Sequence, residues 1–92
     1  MGRIKVKYLN IYYTITHKKE ESVEFDESLT LRELIDKLCR SYKPEFRDAI
    51  LDGDNKLKPY AWILVNGEPA KELAMKLKDG ETIVFSLPVT GG

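Results

Sequence analysis

Leu77-Lys-Asp-Gly-Glu-Thr-Ile-Val-Phe-Ser-Leu-Pro-Val-Thr-Gly-Gly92 is the stretch on which the reading of this chain turns. Asp79-Gly80 supplies a turn, because glycine reaches the positive-φ conformations that tight turns require. From Glu81 to Leu87 the run is rich in β-branched and aromatic residues, the composition of a strand. Pro88 has no amide hydrogen and ends that strand's ladder. Val89-Thr90-Gly91-Gly92 then leaves the body as a short tail. Side chains alternate along a strand, so Ile83, Phe85 and Leu87 share one face while Thr82, Val84 and Ser86 share the other. One set must line a core. An apolar residue left outside beside the tail is a docking contact for a partner, and Phe85, Leu87 and Val84 are the candidates.

Upstream, Trp62-Ile-Leu-Val-Asn66 is a continuous apolar run closed by Asn66-Gly67, which reads as a buried strand entering a turn. Leu73, Met75 and Leu77 sit in a short connector between the two strands. Residues 45–61 have no clear period; Phe46, Ile50 and Leu51 are apolar anchors, and Asp52-Gly-Asp-Asn55 is a turn. Before them comes the clearest helix signal. Thr30-Leu-Arg-Glu33 is a capping box flanked by Leu29 and Leu34, a hydrophobic staple. Leu31, Leu34, Ile35, Leu38, Cys39 and Tyr42 follow at spacings of three and four. Pro44 disfavours helix at Lys43, so the helix is expected to end near Tyr42. The first third reads as a hairpin. Arg3-Ile-Lys-Val-Lys-Tyr-Leu9 and Ser22-Val-Glu-Phe-Asp26 alternate polar and apolar residues. Between them Asn10 to Thr16 is expected to extend the first strand or to turn the chain back, and residues 17–22 form a polar loop tip. Hairpin, helix, strand, connector and strand make a two-layer α+β domain, one sheet packed on one main helix. The expectation is a single domain over 1–92 with 88–92 as its exposed tail.

Lys plus Arg and Asp plus Glu each number 15, so there is no global basic field to gather nucleic acid and no acidic tail. The single cysteine, Cys39, excludes an internal disulfide and a multi-cysteine metal site. No apolar run is long enough for a signal peptide or a membrane span. A cytoplasmic protein without nucleic-acid or membrane partners is expected.

The final strand and tail resemble the C-terminus of the MoaD/ThiS family of ubiquitin-like sulfur carriers, whose MoaD members are the small subunits of molybdopterin synthase. Asp79-Gly80-Glu81, the apolar strand, Pro88-Val89 and Gly91-Gly92 match that pattern. Trp62-Ile-Leu-Val-Asn-Gly67 is similar to the family's strand before its Asn-Gly turn, and Ile4-Lys-Val6 and Leu31-Arg-Glu-Leu34 to its first strand and helix start. In two places the chain departs from the pattern. Leu87 stands where many members have a first proline, and Ile11-Tyr-Tyr-Thr14 stands where many have a short helical segment. The resemblance implies a ubiquitin-like β-grasp fold, a mixed sheet of about four to five strands on one main helix. It also implies that a MoeB/ThiF-like activating enzyme adenylates the Gly92 carboxylate using ATP and Mg²⁺. A sulfurtransferase or sulfide donor then converts it to a thiocarboxylate, and a MoaE-like large subunit accepts the sulfur in molybdenum or tungsten cofactor biosynthesis. The carrier itself binds no cofactor or metal and has no catalytic residue of its own.

The chemistry of such a tail suits its residues. Gly91 and Gly92 lack a Cβ, so they thread narrow channels and let a nucleotide approach the backbone. Pro88 limits the conformations lost on threading, Val89 follows it, and Thr90 offers a hydroxyl hydrogen bond in the channel. Other residues read as structural. His17 is the only histidine and lies in a charged loop without a nucleophile nearby. Cys39 lies on the apolar stripe of the helix and is expected as a buried thiol. Asp52, Asp54 and Asn55 resemble the start of a calcium loop, but the glutamate expected roughly seven residues on is missing. Tyr12, Tyr13, Trp62 and Phe85 are expected as core or interface anchors.

Three other functions share these features. In a protein modifier, Gly92 would form an isopeptide bond with a target lysine. A carrier for thiamine or transfer-RNA thiolation would use the same thiocarboxylate. A non-covalent β-grasp interaction domain would not use its tail at all.

Overall fold

A computed structural model describes residues 1–54, 56–58, 61–70 and 72–86. The first alternating stretch forms strand β1, Gly2–Tyr8. Ile4, Val6 and Tyr8 point inward and Arg3, Lys5 and Lys7 outward. Strand β2, Glu20–Phe25, pairs antiparallel with it, placing Val23 opposite Ile4. The connection between them is neither a strand extension nor a simple turn, as the sequence suggested, but a helix, α1, Ile11–Thr16. Tyr12, Ile15 and Thr16 are buried on its inner side. Burying Tyr12 against distant aromatic rings outweighs the strand preference of the local sequence. The chain therefore carries a short helix where its sequence had seemed to depart from the family pattern.

Strand β3, Leu29–Thr30, pairs with strand β6, Lys76–Leu77, as a small second sheet. Helix α2, Leu31–Ser41, starts at the capping box. The Glu33 N–H donates to Thr30 Oγ1 at 3.1 Å, and the Thr30 N–H donates to Glu33 Oε1 at 2.8 Å. Its C-cap is Tyr42, as expected, and Leu31, Leu34, Ile35 and Leu38 are buried. Pro44 then opens a further helix, α3, Pro44–Ile50, which occupies much of the segment without a clear sequence period. Proline suits a first helical position because the amide hydrogen it lacks would have no partner there.

Strand β4, Trp62–Val65, turns at Asn66-Gly67 into β5, Glu68–Pro69. Both turn residues have positive φ, 53° and 85°, the geometry that matches hairpin twist. Strand β7, Thr82–Ser86, completes a five-stranded sheet ordered β2-β1-β7-β4-β5. β7 runs parallel to β1 and antiparallel to β4. Strands β1, β2, β3, β4, β6 and β7 and all three helices contribute to one core. This is the β-grasp arrangement that the resemblance implied.

Candidate functional site

β7 is the middle strand of the sheet and leads directly toward the tail. The Phe85 carbonyl accepts the Leu9 N–H at 3.0 Å, and Trp62 lies opposite Ser86. The end of β7 is thus held by the end of β1 on one side and by β4 on the other. Underneath, the Phe85 ring stacks on Tyr8 (centroids 6.0 Å apart, planes at 16°) and meets Tyr12 at 5.8 Å and Phe46 at 5.4 Å. Aromatic contacts of this kind add to burial and fix ring orientation.

The expected tail residues Pro88, Val89, Thr90, Gly91 and Gly92 lie outside the described residues, as does Leu87. Of the expected docking contacts, Phe85 is a correction. It is 0% exposed, because it shares the inward parity of Ile83. Val84 is half-buried on the outer face, between Lys7 of β1 and Leu64 of β4. The sequence reading missed Leu9 as a surface residue and left Trp62 undecided between core and interface. They are 49% and 48% exposed and flank the Ser86 end of β7. Tyr13 and Ile11 on α1 are exposed nearby at 46% and 44%. The signal for Trp62 was its parity, since Ile63 and Val65 are the buried residues of β4.

A polar cluster joins the sheet to α2. Tyr8 donates its hydroxyl to Glu21 Oε2 at 2.5 Å, and Tyr42 donates to the same oxygen. Lys18 Nζ stands 3.6 Å from Glu21 Oε1 and 5.8 Å from the centre of the Tyr42 ring. Desolvation pushes the Glu21 carboxyl up, but the hydroxyls of Tyr42 and Tyr8 together with Lys18 outweigh it and hold the group below its ordinary value. Burial, followed by the Glu21 hydrogen bond, raises both tyrosines.

The remaining candidates are structural. Cys39 is half-buried, and burial pushes its thiol up, away from the nucleophilic thiolate. His17 closes α1 with φ 62° and donates its N–H to the Tyr13 carbonyl. Asp52 accepts the N–H groups of Asp54 and Lys56, a turn. Among the described residues no group of three or more His, Cys, Asp or Glu is placed to hold a metal ion. Nor, among them, is any helix long and apolar enough to cross a membrane.

Comparison with known proteins agrees with this geometry. The structure is similar to that of small archaeal modifier protein 1 from Haloferax volcanii, at 23% identity and TM-score 0.82, covering 99% of this chain and 100% of that one. It is similar to a putative molybdopterin converting factor, subunit 1, from Pyrococcus furiosus, at 26% identity and TM-score 0.77, covering 97% and 100%. A chain of the Amycolatopsis orientalis BexX/CysO complex matches at 28% identity and TM-score 0.73, covering 97% and 99%. No curated protein sequence gives a significant match. The ThiS family model matches residues 6–92. With that match along nearly the whole chain, and a ubiquitin-like sheet whose central strand leads into the matched tail, the protein belongs to the ThiS family.

Proposed function

We propose that this protein is a sulfur carrier whose working group is the Gly92 carboxylate. The observation that carries the reading is positional. Gly91-Gly92 follows a few residues after Ser86, at the end of the central strand that the aromatic cluster holds in place. A carboxylate is a poor electrophile, so activation comes from an adenylating partner. A Gly92 oxygen attacks the α-phosphorus of ATP, with Mg²⁺ held by the partner, and pyrophosphate leaves. A hydrosulfide from a sulfurtransferase or sulfide donor then attacks the acyl carbon, AMP leaves, and a thiocarboxylate remains. The carrier contributes the tail and a docking face, and the partner contributes the catalytic groups.

For the acceptor we favour a molybdopterin-synthase large subunit, which takes the sulfur into a pterin. The likeness to the Pyrococcus furiosus subunit and the Pro88-Val89-Thr90-Gly91-Gly92 ending support that choice. Docking falls to the outer sheet face at the Ser86 end of β7, where Trp62 stands opposite Ser86, Val84 lies two residues earlier and Leu9 is exposed just past the end of β1. The same acyl-adenylate could instead meet a lysine amine and make an isopeptide, which is the modifier reading.

One experiment tests the carrier. The protein is incubated with ATP, Mg²⁺, a ThiF-like or MoeB-like activating enzyme and sulfide, and its intact mass is measured. Exchange of one oxygen for sulfur at Gly92 is the expected result. An unchanged mass with a competent enzyme overturns the reading, and Gly-Gly remnants on lysines would favour the modifier.

A further inference from the structure

The two-residue turn between β4 and β5 holds both Asn66 and Gly67 at positive φ, which asparagine and glycine accept at least cost. The same demand sets a carboxamide beside an amide nitrogen whose Cα carries no side chain, the pairing least hindered against ring closure. Both residues are exposed, so water reaches them. The other asparagines, Asn10 and Asn55, precede Ile11 and Lys56, whose side chains crowd that approach. The Asn66 side chain is tied down, however. Its Oδ1 accepts the Thr82 N–H at 2.9 Å, and its Nδ2 donates to Glu81 Oε2 at 3.2 Å. Both bonds reach across to the start of β7. Glu81 is committed in turn, because its Oε1 accepts the Lys78 N–H at 2.5 Å.

We infer that Asn66 is a site of spontaneous modification, restrained by its clamp to Thr82 and Glu81. The reaction lies outside sulfur carriage and consumes only water. The carboxamide leaves its two partners and turns toward Gly67. The Gly67 nitrogen gives its proton to solvent and bonds to Asn66 Cγ, the Cγ–Nδ2 bond breaks, and Nδ2 takes a proton from solvent and leaves as ammonia. A cyclic imide remains. Water then adds to one of its two carbonyl carbons, and the bond from that carbon to the ring nitrogen breaks. A carboxylate is left, and the Gly67 N–H is restored. Opening at Cγ gives aspartate; opening at the backbone carbonyl gives isoaspartate, whose chain runs through Cβ.

Neither product restores the clamp. In the aspartate one oxygen keeps the Thr82 N–H, while the other takes the place of Nδ2 and faces Glu81 Oε2. Carboxylates that close repel, and Glu81 passes the strain to the turn before β7 through Lys78. Isoaspartate adds a backbone carbon to the turn and disturbs the pairing of Val65 with Glu68.

The test is incubation of the full chain in warm, mildly alkaline buffer, following the mass of the peptide that carries Asn66. Replacement of NH by O at Asn66 is expected, with Asn10 and Asn55 unchanged. Glu81→Ala, shown to be folded by circular dichroism, is expected to convert about fivefold faster than wild type, as for one lost hydrogen bond. Glu81→Gln keeps an acceptor and is expected to stay within about twofold of wild type. Asn66→Asp stands in for the product, and since aspartate also accepts positive φ the turn itself survives. This variant is expected to lower the folding equilibrium constant about fivefold at neutral pH, and Glu81→Gln in the same chain to recover most of the loss. That pair carries the test of the clamp should Glu81→Ala misfold. An Asn66 still intact in the folded chain when the urea-unfolded chain has converted would overturn the site. Equal rates in wild type and Glu81→Ala, or an Asn66→Asp loss that Glu81→Gln does not relieve, would overturn the clamp.

Discussion

Tyr8 on β1 reaches across to β2 and donates its hydroxyl to Glu21 at 2.5 Å. Folding therefore favours an ionised Glu21 and neutral Tyr8 and Tyr42. The Glu21 carboxyl lies below its ordinary value in the folded state, so its contribution is complete above about pH 4.5 and is lost as pH falls further. The tyrosines are raised, so theirs is complete below about pH 10 and is lost as pH climbs beyond it. Glu21→Gln keeps an acceptor but cannot ionise. Urea unfolding from pH 3 to 11 is expected to show this variant about 1 kcal/mol less stable at neutral pH, with a shallower loss on the acid side.

Removing Gly91 and Gly92 is expected to abolish the oxygen-for-sulfur mass change completely. Neither glycine has a side chain to bury. The melting temperature of the truncated chain is accordingly expected to stay within about 3 °C of wild type. A chain that still acquired sulfur, or one that unfolded, would contradict the role given to the tail.

Phe85 and Trp62 are neighbours in the sheet with opposite parity, and their alanine variants are expected to separate stability from docking. Phe85→Ala empties the middle of the aromatic cluster and is expected to cost about 3–5 kcal/mol. Trp62→Ala, at a half-exposed position, is expected to change stability by less than about 1 kcal/mol. Binding to the proposed partner, a molybdopterin-synthase large subunit, is expected to weaken by tenfold or more, read by calorimetry, the loss of an interface anchor of about 1.4 kcal/mol.

Thr30→Ala removes the hydroxyl that accepts the Glu33 N–H and leaves that amide of the first turn without its partner, while the backbone N–H of residue 30 keeps Glu33 Oε1. A loss of about 1 kcal/mol is expected, or about 4–8 °C in melting temperature for a domain of this size. Thr30→Ser keeps the hydroxyl and is expected to recover most of it.

The sequence was legible where structure is decided locally. The cap, staple and stripe of α2 lie within thirteen residues, from Leu29 to Ser41, and all agree. The Asn66-Gly67 turn carries its own signal, because both residues accept positive φ. Helix α1 was not legible. Ile11-Tyr-Tyr-Thr favours a strand by itself, and the helix exists because Tyr12 packs 5.9 Å from Phe46 and 5.8 Å from Phe85, far along the chain. Helix α3 was hidden because its N-cap, Lys43, makes no side-chain cap and its proline reads first as a stop. In β7 both faces carry apolar residues, so parity alone could not say that Phe85 was inward and Val84 outward. The tail could be read as a motif, whereas the patch beside it depends on strand order and could not.

The parallel pairing of β1 with β7 sets Lys5 beside Thr82, joining the two extremes of the chain. Contacts between residues so far apart form late, after most of the loop-closure entropy has been lost. On a ribosome the sheet cannot close until β7 has left the exit tunnel. A chain terminated before β7 would lack the sheet's middle strand and would be left to proteolysis as an unfolded fragment. Strand order thus acts as quality control on synthesis, because a product that ends before β7 is too short to close the sheet and persist as a folded competitor of the whole chain.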